Sequence, residues 1–187
     1  MKTRTVLLWA IALFVIDQAI KMVINRNFLD INFDIIPPLF YFKPKFNIQY
    51  SYVNYLFNLG WGFGIHVILR CFTFVILFVL YDLFKTISGN AKIINIAFSF
   101  IFAAALCSLI DTVCWGGSLD YIYLNPLFVF DLKDLYSNIF LILFILSCIK
   151  SDKDLSSFDK EATDYFKNRF TSIKNHPSKI KNIKPCQ

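Results

Sequence analysis

Four apolar runs punctuate the chain, at about 6–24, 65–84, 93–111 and 134–149, the last within Val129–Ile149. Three of them approach the roughly 20 residues that cross a hydrocarbon core of about 30 Å as a helix. Lys2 and Arg4 precede the first run, as in a secretory signal. That run lacks a small-residue cleavage pattern, so an uncleaved first helix is expected. Between the first two runs lies a stretch with Pro37-Pro38, Pro44 and many aromatics, including Phe40, Tyr41, Phe42 and Tyr50. Aromatic density between two spans predicts a segment in the membrane interface, with strand-like alternation over Phe46–Val53. Beyond the fourth run, Leu155, Phe158, Ala162, Phe166, Phe170 and Ile173 recur at three- and four-residue steps. This predicts an amphipathic helix lying on the inner leaflet. The Lys-, Asn- and Pro-rich end after His176-Pro177 predicts disorder.

The expected fold class is therefore a mainly α membrane protein. It has four transmembrane helices, a small outer-face aromatic segment capable of β structure, and a C-terminal amphipathic helix. Residues 1–150 form the membrane domain and 151–187 a basic cytoplasmic tail.

Composition strengthens the membrane reading. Of 187 residues, 57% are hydrophobic, and 22 Phe with 9 Tyr exceed what one soluble core uses. The net charge of +6 does not point to nucleic acid, because the basic residues gather near the ends of the apolar runs and in the tail. By the positive-inside rule, the N-terminus, the 85–92 turn and the tail face the cytoplasm, and the 25–64 and 112–133 stretches face outward. Cys71, Cys107, Cys114, Cys148 and Cys186 show no metal-ligand spacing. His66 and His176 neighbour no nucleophile, and no nucleotide or flavin motif occurs, so neither metal nor cofactor is expected.

The candidate chemistry lies in acids at the ends of spans. Asp111 closes the third run and Asp134 opens the fourth, so a hairpin would set both at one depth. Carboxylates there are costly and are functional candidates by default. Asp17 and Lys21 are four apart on the first span and can pair on one helix face. His66 and Arg70, also four apart, read first as interfacial residues and second as site candidates. Gly60, Gly62 and Gly64 follow Asn58 at the end of the outer stretch, where they permit a sharp turn or a close approach. Small residues Ala103, Ala104, Ala105 and Ser108 allow close helix packing. Acids in a membrane also suit a proton or ion conduit, or a scaffold. A conduit favours acids strung through the depth, whereas Asp17, Asp111 and Asp134 gather toward one face.

The order of these motifs resembles the lipoprotein signal peptidases, over roughly residues 1–150. Asp17-Gln18-Ala19-Ile20-Lys21 is similar to that family's D-Q-x-x-K. Asn58-Leu59-Gly60 through Phe63-Gly64 is similar to N-x-G-x-x-F, with Asn47 and Asn54 as alternatives for the Asn. Leu109-Ile110-Asp111 resembles the core of N-L-I-D-R, although the flanking Asn and Arg are Ser108 and Thr112. Gly116 to Asp120 and Tyr121 resemble the glycine-to-D-F segment. Phe130-Asp131-Leu132-Lys133-Asp134 resembles F-N-x-A-D, with charges at two new positions.

The resemblance implies an intramembrane aspartyl endopeptidase of the bacterial inner membrane, multi-pass, with both termini cytoplasmic. Asp111 and Asp134 would be the catalytic pair, and Asp17, Lys21, Asn58, Gly60 and Asp120 would bind substrate or support the site. Substrates would be prolipoproteins whose lipobox cysteine carries diacylglycerol, cleaved just before that cysteine. Membrane lipids are the other expected partners, nucleic acid is not one, and a monomer is expected. Two carboxylates can hydrolyse an amide when one is charged and one neutral, a state that close like charges enforce by sharing a proton.

Overall fold

A computed structural model of the chain describes residues 2–48, 50, 52–87, 90–150 and 155–175. Four helices are long and apolar enough to cross a membrane: α1 (Thr3–Asn27), α3 (Phe63–Ile87), α4 (Ala91–Ile110, continued to Trp115 by a π turn over Asp111–Trp115) and α5 (Leu132–Ile149). The spans outrun the apolar runs that predict them. The first and second continue past their apolar cores into polar or aromatic ends. The fourth starts at Leu132 rather than Asp134, because the carboxylate of Asp131 caps it.

Helix α4 is central, packed against α1, α3 and α5. Its face bearing Ile94, Phe98, Phe102, Ala103 and Ala104 is buried against Val6 and Ala10 of α1, Leu77 and Tyr81 of α3, and Tyr136 of α5. The small side chains at 103 and 104 let neighbouring backbones approach, which replaces the hydrophobic drive that lipid cannot supply. Leu8, Trp9, Ile11, Ile68, Phe72 and Val75 point outward, as lipid-facing residues should. Two buried tyrosines find partners inside the bundle: Tyr81 Oη donates to Asn95 Oδ1 at 2.8 Å, and Tyr136 Oη to the Leu13 carbonyl at 3.1 Å.

The stretches 25–64 and 112–133 join in one antiparallel sheet of order β1-β2-β3-β4: β1 (Phe33–Ile36), β2 (Phe40–Asn47), β3 (Ser118–Leu124) and β4 (Phe128–Phe130). The strand expected over Phe46–Val53 is displaced: β2 ends at Asn47, and Tyr52–Phe57 form a short helix, α2. Pairing with β3 sets this boundary, with Phe46 opposite Leu119 and Asn47 opposite Ser118. Pro44, which has no N–H to donate, falls where the register slips between Phe42 and Lys45. The sheet is seated on the end of α1 through Ile24, Leu119 and Tyr121.

The amphipathic tail helix is present as α6 (Leu155–Asn175), against the far end of α3. Tyr165 Oη meets Asp82 at 2.6 Å, and Arg169 meets it at 3.2 Å. Both charges of that ion pair are well exposed, so it adds little stability. The segment after His176 and the Ser88-Gly89 part of the turn lie outside the described residues.

Candidate active site

The acids converge where α1, α4 and α5 meet the sheet. Lys21 is their anchor. It is fully buried, and its three N–H donors face three carboxylates: Asp17 at 2.9 Å, Asp111 at 2.6 Å and Asp131 at 2.7 Å. Asp17 and Lys21 meet because they lie one helical turn apart on the inward stripe of α1. Gln18, beside them, gives Nε2 to Asp111 Oδ1 at 2.9 Å and accepts from the Trp115 indole at 3.0 Å.

Asp111 is thus held on both oxygens. It stands where α4 widens into its π turn, a distortion often found at functional sites. Gly116, with φ +66°, ends that turn, and the Gly117 amide returns to the Asp111 carbonyl at 3.2 Å. A side chain at Gly117 would place Cβ only 2.7 Å from the Asn47 carbonyl oxygen. Glycine there lets the end of β2 press against the start of β3.

That approach builds the second half of the site. Asn47 donates to Asp120 Oδ2 at 3.3 Å, and Ser118 Oγ lies 2.7 Å from Asp120 Oδ1. Lys133 reaches in from α5. Its ammonium contacts Ser118 Oγ and lies 2.5 Å from Asp131, 3.4 Å from Asp111 and 3.6 Å from Asp120. Carboxylate oxygens of Asp120, Asp131 and Asp134 all lie within 4.8 Å of one another. Asp134 is oriented by a reciprocal cap: the Asp131 amide donates to Asp134 Oδ2 at 3.2 Å, and the Asp134 amide to Asp131 Oδ1 at 3.3 Å.

Electrostatics separate the acids outside the spans. Burial pushes the Asp120 carboxyl above the ordinary carboxylate value, against the opposing pull of Lys133. Burial also acts on Asp131, but Lys133 and Lys21 together outweigh it and hold that carboxyl below its ordinary value. Asp131 is therefore an ionised counter-charge, and Asp120 holds a proton more readily.

The sequence-predicted residues divide. Asp17, Lys21, Asp111, Asp120 and Asp134 come together. Asn58 and Gly60 are exposed and adopt left-handed backbone, φ +51° and +65°, in the turn after α2; among the described residues no hydrogen bond ties either to the acids. Of the alternatives to Asn58, Asn54 braces that turn, accepting from the Trp61 amide at 3.0 Å and donating to its carbonyl at 3.2 Å. Asn47 is the one that reaches an acid. Its signal was cross-strand register, which no local motif carries.

Arg70 does more than reach for the interface. Its guanidinium donates to Thr112 Oγ1 at 2.7 Å, to Ser108 Oγ and to the Tyr50 carbonyl at 2.6 Å. It joins α3 to the π turn at the two positions where the chain departs from N-L-I-D-R. A cavity of about 200 Å³ lies between α3, α4 and α5. Arg70, Lys133 and Asp134 supply its polar wall, and Leu77, Ile101 and Ala104 its apolar one.

Four apolar helices carry a buried acid cluster at one end, roofed by a small sheet, an arrangement that suits a membrane-embedded aspartyl endopeptidase. Residues 9–150 match the family model described as signal peptidase (SPase) II. The lipoprotein signal peptidase of Bartonella henselae is 30% identical over 136 residues, covering 70% of this chain and 80% of that protein. The chain belongs to the signal peptidase II family, and it is accordingly a bacterial membrane protein. Two solved chains, each described as a bacterial membrane enzyme determined by the in meso method, share its fold. Their TM-scores are 0.58 and 0.59 at 22% and 24% identity, covering 81% and 80% of this chain and 94% of each of theirs.

Proposed function

We propose that this peptidase cleaves diacylglyceryl-modified prolipoproteins before the lipobox cysteine, using Asp120 and Asp134 as its carboxylate pair. The observation that carries the pairing is the approach of their carboxylates within 4.8 Å, beside a cavity that Asp134 lines. Asp111, the partner expected for Asp134 from sequence, is ion-paired to the fully buried Lys21 at 2.6 Å, whereas the contact of Asp120 with Lys133 is 3.6 Å. It is better suited to anchoring Lys21 than to activating water.

One acid of the pair takes a proton from water. The water oxygen attacks the scissile carbonyl carbon while the other, neutral acid protonates the carbonyl oxygen; as the C–N bond breaks, the first acid gives its proton to the leaving amine and the second recovers one from the diol. The elevated proton affinity of Asp120 favours the singly protonated pair. The apolar wall of the cavity suits a signal helix or an acyl chain entering from lipid, while the scissile bond reaches the acids. Processing assays on a lipidated prolipoprotein with each Asp→Asn variant test the assignment.

The orientation we infer puts both termini in the cytoplasm and the acids with the sheet at the outer face, from the Lys and Arg near Thr3, Ile87 and Ile149. Reporter fusions after Lys92 and Lys150 should score cytoplasmic, and one at Asn125 external. A cytoplasmic score at Asn125 would reverse the orientation. The enzyme is read as a monomer, and membrane lipids as its surroundings. Since α6 touches the bundle at the end remote from the acids, truncation after Lys153 should leave cleavage in detergent within about twofold of the full chain, as for a surface change distant from special features. An inserted, folded and inactive truncation would assign the tail a catalytic contribution.

A further inference from the structure

Asp131 and Lys133 lie inside the acid cluster, yet neither belongs to the carboxylate pair proposed above. The Asp131 side chain is fully buried and that of Lys133 is 13% exposed. Burying either charge alone costs several kcal/mol, as a rule of magnitude, unless a partner is supplied. Each supplies the other, at 2.5 Å. They are also the two positions at which Phe130–Asp134 departs from F-N-x-A-D, so both changes concern one contact.

We propose that Asp131 and Lys133 form a single inserted charge pair, in which Lys133 is a positioning residue that aims Ser118 and Asp120, and Asp131 balances its charge. The orientation follows from donor arithmetic. An ammonium can only donate. With Lys133 donating to Ser118 Oγ, the single hydroxyl proton of Ser118 turns toward its nearest acceptor, Asp120 Oδ1 at 2.7 Å. Lys133 thus fixes which oxygen of Asp120 is occupied. Asn47 holds the other at 3.3 Å. Asp131 reaches back to Lys21 at 2.7 Å, which ties the inserted pair to the anchor on α1.

Other charges face this pair from every side. Helix α1 presents Asp17 and Lys21, α4 presents Asp111, and Arg70 of α3 lines the same cavity as Lys133. The sheet presents Asp120 and Tyr121, with exposed Lys45 the register partner of Asp120. Asp134 and Tyr136 follow on α5 itself. All of them persist in the two single variants below, so the shifts expected there come from the one charge removed.

The inference rests on the Asp120–Asp134 reading, and one experiment separates the two. Lys133→Ala, Asp131→Asn and the double variant are purified with the full chain in detergent. Each is assayed across pH on a diacylglyceryl-modified prolipoprotein. Removing the cation strengthens proton binding by the acids, so the Lys133→Ala profile should move to higher pH. Removing the anion does the reverse, so Asp131→Asn should move to lower pH. Each single variant should lose about tenfold or more in kcat, whereas the double should recover to within about threefold of the parent, since strongly coupled residues are non-additive. If the single variants fail to fold but the double folds and cleaves, the charge pair is equally supported.

Profiles that shift in the same direction or not at all, or a double variant no better than the worse single, would overturn the inference. So would a double variant that fails to fold. Adding Asp120→Asn to the double variant should abolish cleavage. Persistent cleavage there would reject the Asp120–Asp134 reading while leaving the charge-pair result standing.

Discussion

Asp120→Asn and Asp134→Asn should each remove cleavage of a lipidated prolipoprotein by about a thousandfold or more, and the double variant should be little worse than either. Neither role works alone, because the base needs a polarised carbonyl and the acid needs a nucleophile. Neither substitution should unfold the bundle, as amide for carboxylate preserves shape and reduces the negative charge of a crowded site. The pH profile should show the same dependence. The pair acts only while it holds one proton. Because burial raises the Asp120 value above that of an ordinary carboxyl, activity should extend above the ordinary carboxylate range and fall as pH rises through the raised value. Substantial cleavage by Asp120→Asn, with a folded Asp111→Asn inactive, would move the first acid back to Asp111.

The largest loss of stability should come from Lys21→Met. Lys21 is the shared counter-ion of Asp17, Asp111 and Asp131, all within 2.9 Å. Its removal leaves buried carboxylates facing one another, and breaking even one such pair costs about 3–5 kcal/mol. Thermal unfolding in detergent should show this loss, and lowering the pH, which neutralises carboxylates, should recover part of it. Asp17→Asn should be milder, since Lys21 keeps two partners and Asp17 Oδ1 makes no hydrogen bond. A Lys21→Met protein as stable as its parent would refute the anchoring role.

Much of this fold is legible in the apolar runs, because a span must satisfy its backbone internally and must exceed a fixed length. Asp17 also announces a partner: a carboxylate well inside a span needs one, and Lys21 stands one turn away. What is hidden depends on pairing between distant segments. Ser118–Leu124 has a strand's Tyr and Ile between Gly117 and Asn125-Pro126, yet only β2 opposite it brings Asn47 to Asp120. Arg70 looks like a residue at a helix end, and its partners Ser108 and Thr112 sit on another helix. The motif marks Asp111, but spacing along α4 could not reveal that Lys21, shared with Asp17 and Asp131, is ion-paired to it at 2.6 Å. Lys133 and Asp131 read as departures from a motif; their proximity in space shows them to be complementary.

The reciprocal cap at the start of α5 has a thermodynamic consequence. Its partners, Asp131 and Asp134, include the carboxylate assigned to the reaction. Helix formation fixes the rotamer of Asp134, because one of its oxygens is bound to the Asp131 amide. The conformational entropy of that side chain, which a free surface acid would surrender on meeting substrate, is lost during folding instead. Substrate then meets a carboxylate already aimed, and more of its own affinity remains to be expressed in rate.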